Sequence, residues 1–351
     1  MALPLDPTTP PMEARPVEEL PSGPRWRYEP KWDGFRCLAF RDGDEIALRS
    51  KSGQDLGRYF PDVAAALLGL PGRSFALDGE IVIPVARRLS FEALQLRLHP
   101  AASRVRKLAA EHPATYIAFD LLAVAATSLL EKPFAERRAA LERFFARLGS
   151  QSAVGLSPDT ADRAAALRWL DDFAGDIDGT VAKRADLPYL AGSRDGMQKY
   201  KLRRTADCVV GGFRYGQGST LVGSLLLGLY DKDGLLHHVG FTATIAARDK
   251  PDLARRLEGL VAPPGVTGRA PGGPSRWSTQ RSGEWQPLAP VLVAEVRYDQ
   301  VSDGRFRHGT TFIRWRPDKA PRQCSFEQLP TADGAALSLL DRPLTASGAG
   351  R

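Results

Sequence analysis

The sequence predicts an α+β protein with two domains, in which a small β-barrel follows a larger unit of mixed strands and helices. The first observation is that strand and helix patterns mingle over residues 25–203 and do not alternate strictly. The second is that residues 204–328 contain five strand patterns and one helical pattern, with turns rich in glycine. The length of 351 residues agrees with two domains of ordinary size.

The first domain contains most of the helical periodicity. We predict strands over residues 26–31, 35–41, 45–50, 76–84, 114–122, 178–184 and 197–203. We predict helices over residues 62–70, 91–98, 103–111, 134–148 and 161–175. The Pro-rich residues 1–24 precede these elements, and we expect them to form an extended lead that wraps this domain.

The second domain is predicted to be a Greek-key barrel of the OB type, a fold that commonly binds nucleic acid. Its order is three strands, a helix, a Pro/Gly-rich loop and two strands. The ranges are 207–215, 224–231, 235–242, 249–260, 262–283, 292–300 and 310–316. Residues 329–351 are small and polar, and we expect a loose tail there.

Composition limits the class of protein. Hydrophobic residues make up 43% of the chain, which is enough for a globular core. The net charge of +7 favours a polyanionic partner such as nucleic acid, although an arginine-rich composition explains it equally well. Cys37, Cys208 and Cys324 are far apart, which indicates neither a zinc site nor a disulfide. No segment approaches the roughly 20 apolar residues of a membrane span, and no secretory signal begins the chain, so we expect a cytoplasmic protein.

The segment Glu29-Pro30-Lys31-Trp32-Asp33-Gly34-Phe35-Arg36 carries the strongest chemical signal. A lysine beside a tight Asp-Gly turn can be held at a strand end that faces a pocket. Lysine is a poor nucleophile when protonated, and nearby cations or desolvation activate it. Such cations follow at Lys199 and Lys201, which share one face if they lie on a strand. The alternative is a hairpin turn with a solvated lysine, because the KxDG pattern is short.

Residues 31–36 resemble motif I, KxDGxR, of the covalent nucleotidyltransferases, which include ATP-dependent DNA ligases, RNA ligases and mRNA-capping guanylyltransferases. The superfamily's later motifs have similar segments in the same order. These are LDGEIV (77–82, motif III), AFDLL (118–122, motif IIIa), DGTVAKR (178–184, motif IV), MQKYK (197–201, motif V) and RWRPDK (314–319, motif VI). Each match is weak alone, but six in order are highly specific. Motif I and RWRPDK look most similar to the short bacterial C-type DNA ligases.

The resemblance implies an ATP-grasp-like adenylyltransferase (nucleotidyltransferase) domain followed by an OB-fold β-barrel domain. It also implies that Lys31 attacks the α-phosphorus of ATP, forms a phosphoramidate and expels pyrophosphate. Glu29 would hydrogen-bond adenine, and Phe119 would stack on it unless it is an ordinary core residue. Arg36 would contact ribose or phosphate, which suits a planar guanidinium.

The charged residues of the later motifs receive roles in the same way. Glu80 and Asp178 would position ribose or hold Mg²⁺, for which Mn²⁺ would substitute. We expect Asp78 to be a surface carboxylate instead. Lys199 and Lys201 would grip the α-phosphate and stabilise the charge of the transition state.

Motif VI implies closure of the second domain. Arg316 and Lys319 would meet the β- and γ-phosphates of ATP during the first step and would then withdraw to admit DNA. This movement predicts a hinge near residues 203–205. Arg314 would assist, or is equally a charge on a strand face.

Three positions depart from the family pattern. Asp178 stands where motif IV usually has Glu, so a metal distance differs or a water intervenes. Met197 replaces the Trp that usually begins motif V, so the adenine pocket is built differently. Lys51 stands where many ligases have Arg, and it would grip a 5′ phosphate as a point charge.

These interpretations combine into one functional prediction. We expect a monomeric ATP-dependent DNA ligase that seals 3′-OH/5′-phosphate nicks in double-stranded DNA through lysyl-AMP and AMP-DNA intermediates. By analogy it would act in DNA repair in the bacterial nucleoid, with other repair proteins as partners. The alternatives are an RNA ligase, a GTP-using capping enzyme, and a non-catalytic OB-type nucleic-acid-binding protein.

Overall fold

The computed structural model describes residues 3–86, 88–146, 153–272, 284–302, 304–329 and 336–340. The chain divides into two compact units. The first unit comprises Met1–Lys201 together with Ala332–Arg351, and the second comprises Leu202–Thr331. The OB-type unit is therefore inserted between two segments that belong to the first unit.

Two sheets form the frame of the first unit. Its strands are β1 (Arg15–Val17), β2 (Trp26–Trp32), β3 (Phe35–Asp42), β4 (Glu45–Ser50), β5 (Ser74–Val82), β6 (Pro84–Val85), β7 (Arg88–Leu89), β8 (Thr115–Val124), β9 (Thr127–Ser128), β10 (Val154–Leu156), β11 (Ile177–Arg184) and β12 (Met197–Tyr200). One sheet has the strand order β1-β12-β11-β2. The other has the order β10-β8-β5-β3-β4, with β9 paired to β8, and β6 and β7 form a separate hairpin.

Five helices of the described residues support these sheets. They are α1 (Pro61–Leu68), α2 (Phe91–Arg97), α3 (Ala102–Glu111), α4 (Phe134–Phe145) and α5 (Arg163–Asp172). Asp162 caps α5 by accepting a hydrogen bond of 2.8 Å from the Ala164 amide. Leu67 of α1 and Leu141 of α4 join the core that covers the central strands β5 and β8. This packing makes the larger sheet a rigid support for the side chains at its edge.

The chain passes from one sheet to the other at the turn between β2 and β3. Gly34 lies in this turn, and a Cβ atom there would come 2.2 Å from the carbonyl oxygen of Ile81. A glycine is required because β5 approaches the turn so closely. The close approach fixes the Lys31 end of β2 beside β5.

Within the described residues, the second unit is a closed barrel with one α-helix. Its elements are β13 (Arg204–Tyr215), β14 (Val222–Tyr230), β15 (Leu236–Thr242), α6 (Lys250–Glu258), β16 (Gln286–Pro287), β17 (Val293–Tyr298), β18 (Val301–Ser302), β19 (Arg305–Phe306) and β20 (Thr311–Trp315). The main sheet has the order β15-β14-β13-β17-β20. A parallel bridge between Thr242 and Thr310 joins its two edges, and the Thr310 amide donates to the Phe241 carbonyl oxygen over 3.0 Å. This closure, with α6 after the third long strand, is the arrangement of an OB barrel.

The main elements predicted from the sequence occur in the predicted order, with three differences. The strand predicted over residues 197–203 ends at Tyr200, so Lys201 lies just beyond it. Part of the N-terminal lead forms β1, which pairs with β12. In the segment expected to be loose, Ala336–Leu339 form a 3-10 helix whose ends are buried, and the Ala336 amide donates to Asp176 over 3.1 Å. Residues 1–2, 147–148, 273–283, 330–335 and 341–351 of the predicted segments lie outside the described residues.

The three cysteines are free and buried, in agreement with the predicted absence of a disulfide. Among the helices that the structure describes, none combines the length and the apolar character needed to cross a membrane.

Candidate active site

A cavity of about 200 Å³ opens in the first unit and is lined by residues of both sheets. The structure brings together in it most of the side chains that the sequence nominated for nucleotide binding. These are Glu29, Lys31, Arg36, Lys51, Glu80, Phe119 and Lys199. A larger cavity of about 390 Å³ lies in the second unit and contains none of the nominated residues. We therefore take the first cavity as the candidate active site.

Lys31 lies at the end of β2 and forms an ion pair with Asp178 of β11. The Nζ atom of Lys201 lies 2.9 Å from the same carboxylate oxygen. Trp32 pairs with Ile177 and Lys31 pairs with Gly179, so Asp178 is the extra residue of a β-bulge. Burial raises the pKa of Asp178, but the attraction of the two lysines outweighs it and holds that pKa below its ordinary value.

The positive side of the cavity is completed by Lys199. Its pKa is lowered by burial and by repulsion from Lys31, Lys201 and Lys51. Lys31, Lys199 and Lys201 with the carboxylate of Asp178 carry a net positive charge. Such a cluster suits a polyphosphate ligand.

Glu29 is a buried residue that lines the cavity, and it lies on the same strand as Lys31. Its side chain is buried and makes an ion pair of 2.8 Å with Lys183, while Arg138 lies 4.0 Å away. Burial raises the pKa of Glu29 against the attraction of these two cations. The Oε1 atom of Glu29 accepts no hydrogen bond within the described residues. A buried acceptor of this kind can receive a hydrogen bond from a ligand.

Phe119 is the extra residue of a second β-bulge. Asp78 pairs with Asp120 and Gly79 pairs with Ala118, so Phe119 has no partner on β5. The guanidinium of Arg36 and the ammonium of Lys183 each lie 4.7 Å from the centre of its ring. Phe119 lines the cavity and is not part of the main core of the unit.

The expectation that Asp78 is a surface carboxylate was wrong. Its side chain is fully buried, and it accepts hydrogen bonds of 2.6 and 2.5 Å from Arg36. Asp78 lies on β5, which has neighbours on both edges, so a charge there must be paired within the fold. Arg36 is therefore held at the cavity by a bidentate ion pair.

Glu80 lies directly opposite Arg36, on the neighbouring strand. Burial raises its pKa to about 7, against the attraction of Lys31 and Arg36. Among the described residues, no group of three or more His, Cys, Asp or Glu side chains is placed to hold a metal ion.

Comparison with known families gives this site a context. Residues 11–201 match the family model described as "ATP dependent DNA ligase domain", and residues 218–319 match "ATP dependent DNA ligase C terminal region". The chain belongs to the ATP-dependent DNA ligase family. This result confirms the family predicted from the sequence, with ATP as a substrate and nucleic acid as the other.

Relatives of similar length support the same assignment. The ligase is 46% identical to DNA ligase C2 of Mycolicibacterium smegmatis over 94% of this chain and 96% of that protein. It is 43% identical to DNA ligase C of Mycobacterium tuberculosis over 99% of this chain and 98% of that protein. The predicted similarity to short C-type ligases is thereby confirmed.

Two more distant proteins are also similar to this chain. One is matched over only part of its length, and the other is similar mainly in fold. The ligase is 30% identical to a multifunctional non-homologous end joining DNA repair protein, LigD, of Mycobacterium tuberculosis over 85% of this chain and 37% of that protein. A solved Lig E DNA ligase is 15% identical, has a TM-score of 0.51, and is matched over 88% of this chain and 99% of that chain. The latter similarity supports the nucleotidyltransferase and OB architecture.

One wall of the ligase cavity was not predicted from the sequence. Pro11, Met12, Glu13 and Ala14 of the N-terminal lead line it, and Glu13 forms an ion pair of 3.1 Å with Lys51. The Pro-rich composition indicated an extended segment but carried no signal for a nucleotide pocket. Lys183 was also missed. It pairs with Arg27 of β2 and lies two residues beyond Val181, the partner of Glu29, so it shares a face of the sheet with Glu29.

Arg316 and Lys319 belong to the second unit of the ligase. Arg316 donates to Asp207 over 2.9 Å, and the Nζ atom of Lys319 lies 3.1 Å from the same carboxylate. Arg314 is exposed and binds Glu295 over 2.7 Å. Two of the three motif VI cations thus converge on one carboxylate, and Arg314 points to another.

Proposed function

We propose that the ligase seals 3′-OH/5′-phosphate nicks in double-stranded DNA through an AMP bound to Lys31. The observation that carries the proposal is the position of the Lys31 amine in the cavity, beside Asp178 and among Lys199 and Lys201. The amine would attack the α-phosphorus, so that an N–P bond forms as the bond to pyrophosphate breaks. AMP would then pass to the 5′ phosphate, and the 3′-hydroxyl would displace it.

The nucleoside end of ATP would lie against Glu29 and Phe119. The unused oxygen of Glu29 is an acceptor for an adenine amine, and Phe119 offers an aromatic ring in the same cavity. Arg36, fixed by Asp78, would contact ribose or phosphate. Lys199 and Lys201 would hold the α-phosphate, and Lys51 would hold the 5′ phosphate of DNA.

Mg²⁺, with Mn²⁺ as a substitute, would be held by Glu80 and Asp178 together with phosphate oxygens. The donor set fits this ion, because Mg²⁺ usually binds one or two carboxylates plus substrate phosphates and waters. When bound, it would neutralise charge on the phosphates. The residues of the chain would supply the nucleophile, the pocket and the remaining positive charge.

Arg316 and Lys319 would act on the departing pyrophosphate. Both are cations on the OB barrel: Arg316 is paired with Asp207 and Asp318, and Lys319 is paired with Asp207, so a phosphate would share or replace these carboxylate contacts. We propose that the second unit moves about residues 203–205 to bring them to ATP and then withdraws.

The cellular role that we propose is DNA repair by a monomer, with other repair proteins as partners. Its support is the similarity to LigD, a protein named for DNA repair and non-homologous end joining. The basic charge of +7 supports binding to a DNA duplex and predicts that binding weakens as salt rises.

Intact mass after incubation with Mg²⁺ and ATP tests the proposal. We expect one AMP on the wild type, located at Lys31, and none on Lys31→Ala. The same variant should still seal a nick that already carries AMP, because only the first step needs the amine. AMP on any other residue, or label from GTP and not from ATP, would overturn the proposal.

The substrate is tested separately. Nicks with a 3′-OH DNA strand are expected to be sealed, whereas strong preference for an RNA strand at both sides of the break would favour the RNA ligase alternative.

A further inference from the structure

The wall of the cavity formed by residues 11–14, here called the lead wall, is bound to the site through its backbone. The Met12 amide donates to the hydroxyl of Tyr189 over 2.9 Å. The Met12 carbonyl oxygen accepts a hydrogen bond of 3.2 Å from Arg36. Both polar groups of one backbone residue are therefore used, the amide by Tyr189 and the carbonyl by Arg36, and Arg36 lines the cavity.

Tyr189 connects these two contacts through Asp78. Its hydroxyl donates to the Oδ2 atom of Asp78 over 2.6 Å. Asp78 also accepts two hydrogen bonds from Arg36, one from Nε and one from Nη2. The hydroxyl thus donates one bond and accepts one. Asp78 and Tyr189 are both buried, so the bond between them is shielded from bulk water.

The lead wall is attached at further points on the same side of the cavity. Two backbone hydrogen bonds attach it. The Glu13 amide donates to the Ser193 carbonyl oxygen over 2.8 Å, and the Gly192 amide donates to the Pro11 carbonyl oxygen over 3.2 Å. The next residues, β1, pair with β12 so that Pro16 is opposite Lys199. The Met12 side chain packs with Tyr189, Met197 and Leu38 in a small core. The wall is therefore an ordered part of the first unit.

We propose that Tyr189 is a positioning residue of the nucleotide site, which acts through Asp78 to orient Arg36 and which binds the lead wall to the same guanidinium. Without its hydroxyl, Asp78 loses one of three donors and the Met12 amide loses its acceptor. Arg36 and the lead wall then move independently, and the pocket is less well preorganised for ATP. This inference rests on the proposed function, because it assumes that ATP binds in this cavity.

Tyr189→Phe tests the proposal, with Tyr28→Phe as the matched control. Tyr28 is also buried, and its hydroxyl donates over 2.8 Å to the carbonyl oxygen of Pro21 in the same N-terminal lead, but this bond involves neither Asp78 nor Arg36. We expect Tyr189→Phe to raise the KM for ATP in Lys31 adenylation about tenfold, the size of one lost bond to a charged acceptor. The kcat should change much less, and Tyr28→Phe should leave both constants near those of the wild type.

A double-mutant cycle separates positioning from structure. If Tyr189 acts through Arg36, adding Tyr189→Phe to Arg36→Ala should change the KM less than about twofold. If the single variant proves too unstable to assay, Asp78→Asn breaks the same connection and should show the same split between KM and kcat.

Failure of the proposed function and failure of the Tyr189 proposal would give different results. Absence of AMP on wild-type Lys31 would remove the proposed function itself. Normal adenylation of the wild type with equal KM values for Tyr189→Phe and Tyr28→Phe would overturn the role of Tyr189. The role of Tyr189 would also be overturned if Tyr189→Phe raised the KM for ATP by the same factor in the Arg36→Ala background as in the wild type.

Discussion

Asp178 contacts the Lys31 amine because a β-bulge turns its side chain out of the regular strand alternation. The next residue, Gly179, has φ of +146°, and a Cβ atom there would lie 2.2 Å from the Tyr200 carbonyl oxygen. The bulge therefore depends on glycine. It also explains how an aspartate, one methylene shorter than the family's usual glutamate, reaches the Lys31 amine.

The first prediction concerns this carboxylate. Asp178→Asn should lower the single-turnover rate of Lys31 adenylation about a hundredfold, a loss typical of a positioned acid–base or electrostatic group. The neutral amide removes the charged contact that holds the Lys31 and Lys201 side chains together, so the amine is positioned less well for attack. Asp178→Glu keeps the charge and should stay within about tenfold of the wild type. A wild-type rate in the Asn variant would refute this role.

The second prediction concerns the pH dependence of stability at Glu80. Its pKa is about 7 in the folded protein, against an ordinary value of 4.5 for a glutamate, so the folded state binds the proton more tightly. The stabilising contribution of Glu80 is complete below about pH 4.5 and is lost as the pH rises through 7. At 1.36 kcal/mol per pH unit, the loss amounts to at most about 3 kcal/mol.

Urea unfolding of the wild type and of Glu80→Gln at several pH values measures this loss. The free energy of unfolding of the variant minus that of the wild type should increase from about pH 5 to pH 8, by up to about 3 kcal/mol. Both proteins share every other titrating group, so the difference isolates Glu80. A difference that stays constant or falls with pH contradicts the prediction.

The third prediction concerns the buried ion pair of Lys183 and Glu29. Lys183→Met should lower the free energy of unfolding by about 3–5 kcal/mol, because it leaves the Glu29 carboxylate buried without its nearest cation. Adding Glu29→Gln should recover part of the loss, since the uncompensated charge is then gone. The exposed pair of Lys107 and Glu111 provides the control, and Lys107→Met should cost less than about 0.5 kcal/mol. Equal costs in the two lysine variants would show that the Lys183 pair does not stabilise the fold.

The fourth prediction separates the steps of the reaction. Arg316→Ala and Lys319→Ala should slow Lys31 adenylation at least about a hundredfold, as loss of a cation on a transferred phosphoryl group does. Sealing of a nick that already carries AMP should change far less. Arg314→Ala is the matched control, because Arg314 is exposed and binds Glu295 instead of Asp207. Equal loss in both assays would indicate a general defect in DNA binding.

The positions of the main strands could be predicted because alternation and turn residues are local properties. The pattern around Lys31 indicated a strand that ends at a tight turn, and β2 ends there. The contact between Lys31 and Asp178 could not be predicted in the same way. It depends on a bulge, and a bulge depends on how two strands distant in sequence are aligned.

The burial of Asp78 and the role of the N-terminal lead show the same limit. Whether Asp78 faces water depends on whether β5 is a central or an edge strand, which only the sheet order decides. Met12 has no recognisable motif, and its contribution comes from backbone groups that every residue carries. The residue types of the site could therefore be predicted from the sequence motifs. The buried carboxylate and the backbone contacts that hold these residues in place could not.

The last prediction concerns Gly34, the glycine of the KxDG pattern. Gly34→Ala should lower the free energy of unfolding by roughly 3 kcal/mol, because its Cβ would meet the Ile81 backbone and Glu80 cannot move aside without leaving the cavity. Gly57→Ala is the control, since the nearest atom to its Cβ is a side-chain oxygen at 3.4 Å. Because Gly34 fixes the end of β2 beside β5, the residual folded protein should also adenylate Lys31 more slowly than the Gly57 variant. Similar stability and similar adenylation in the two variants would mean that the turn relaxes freely, and that the KxDG glycine does not position the nucleophile.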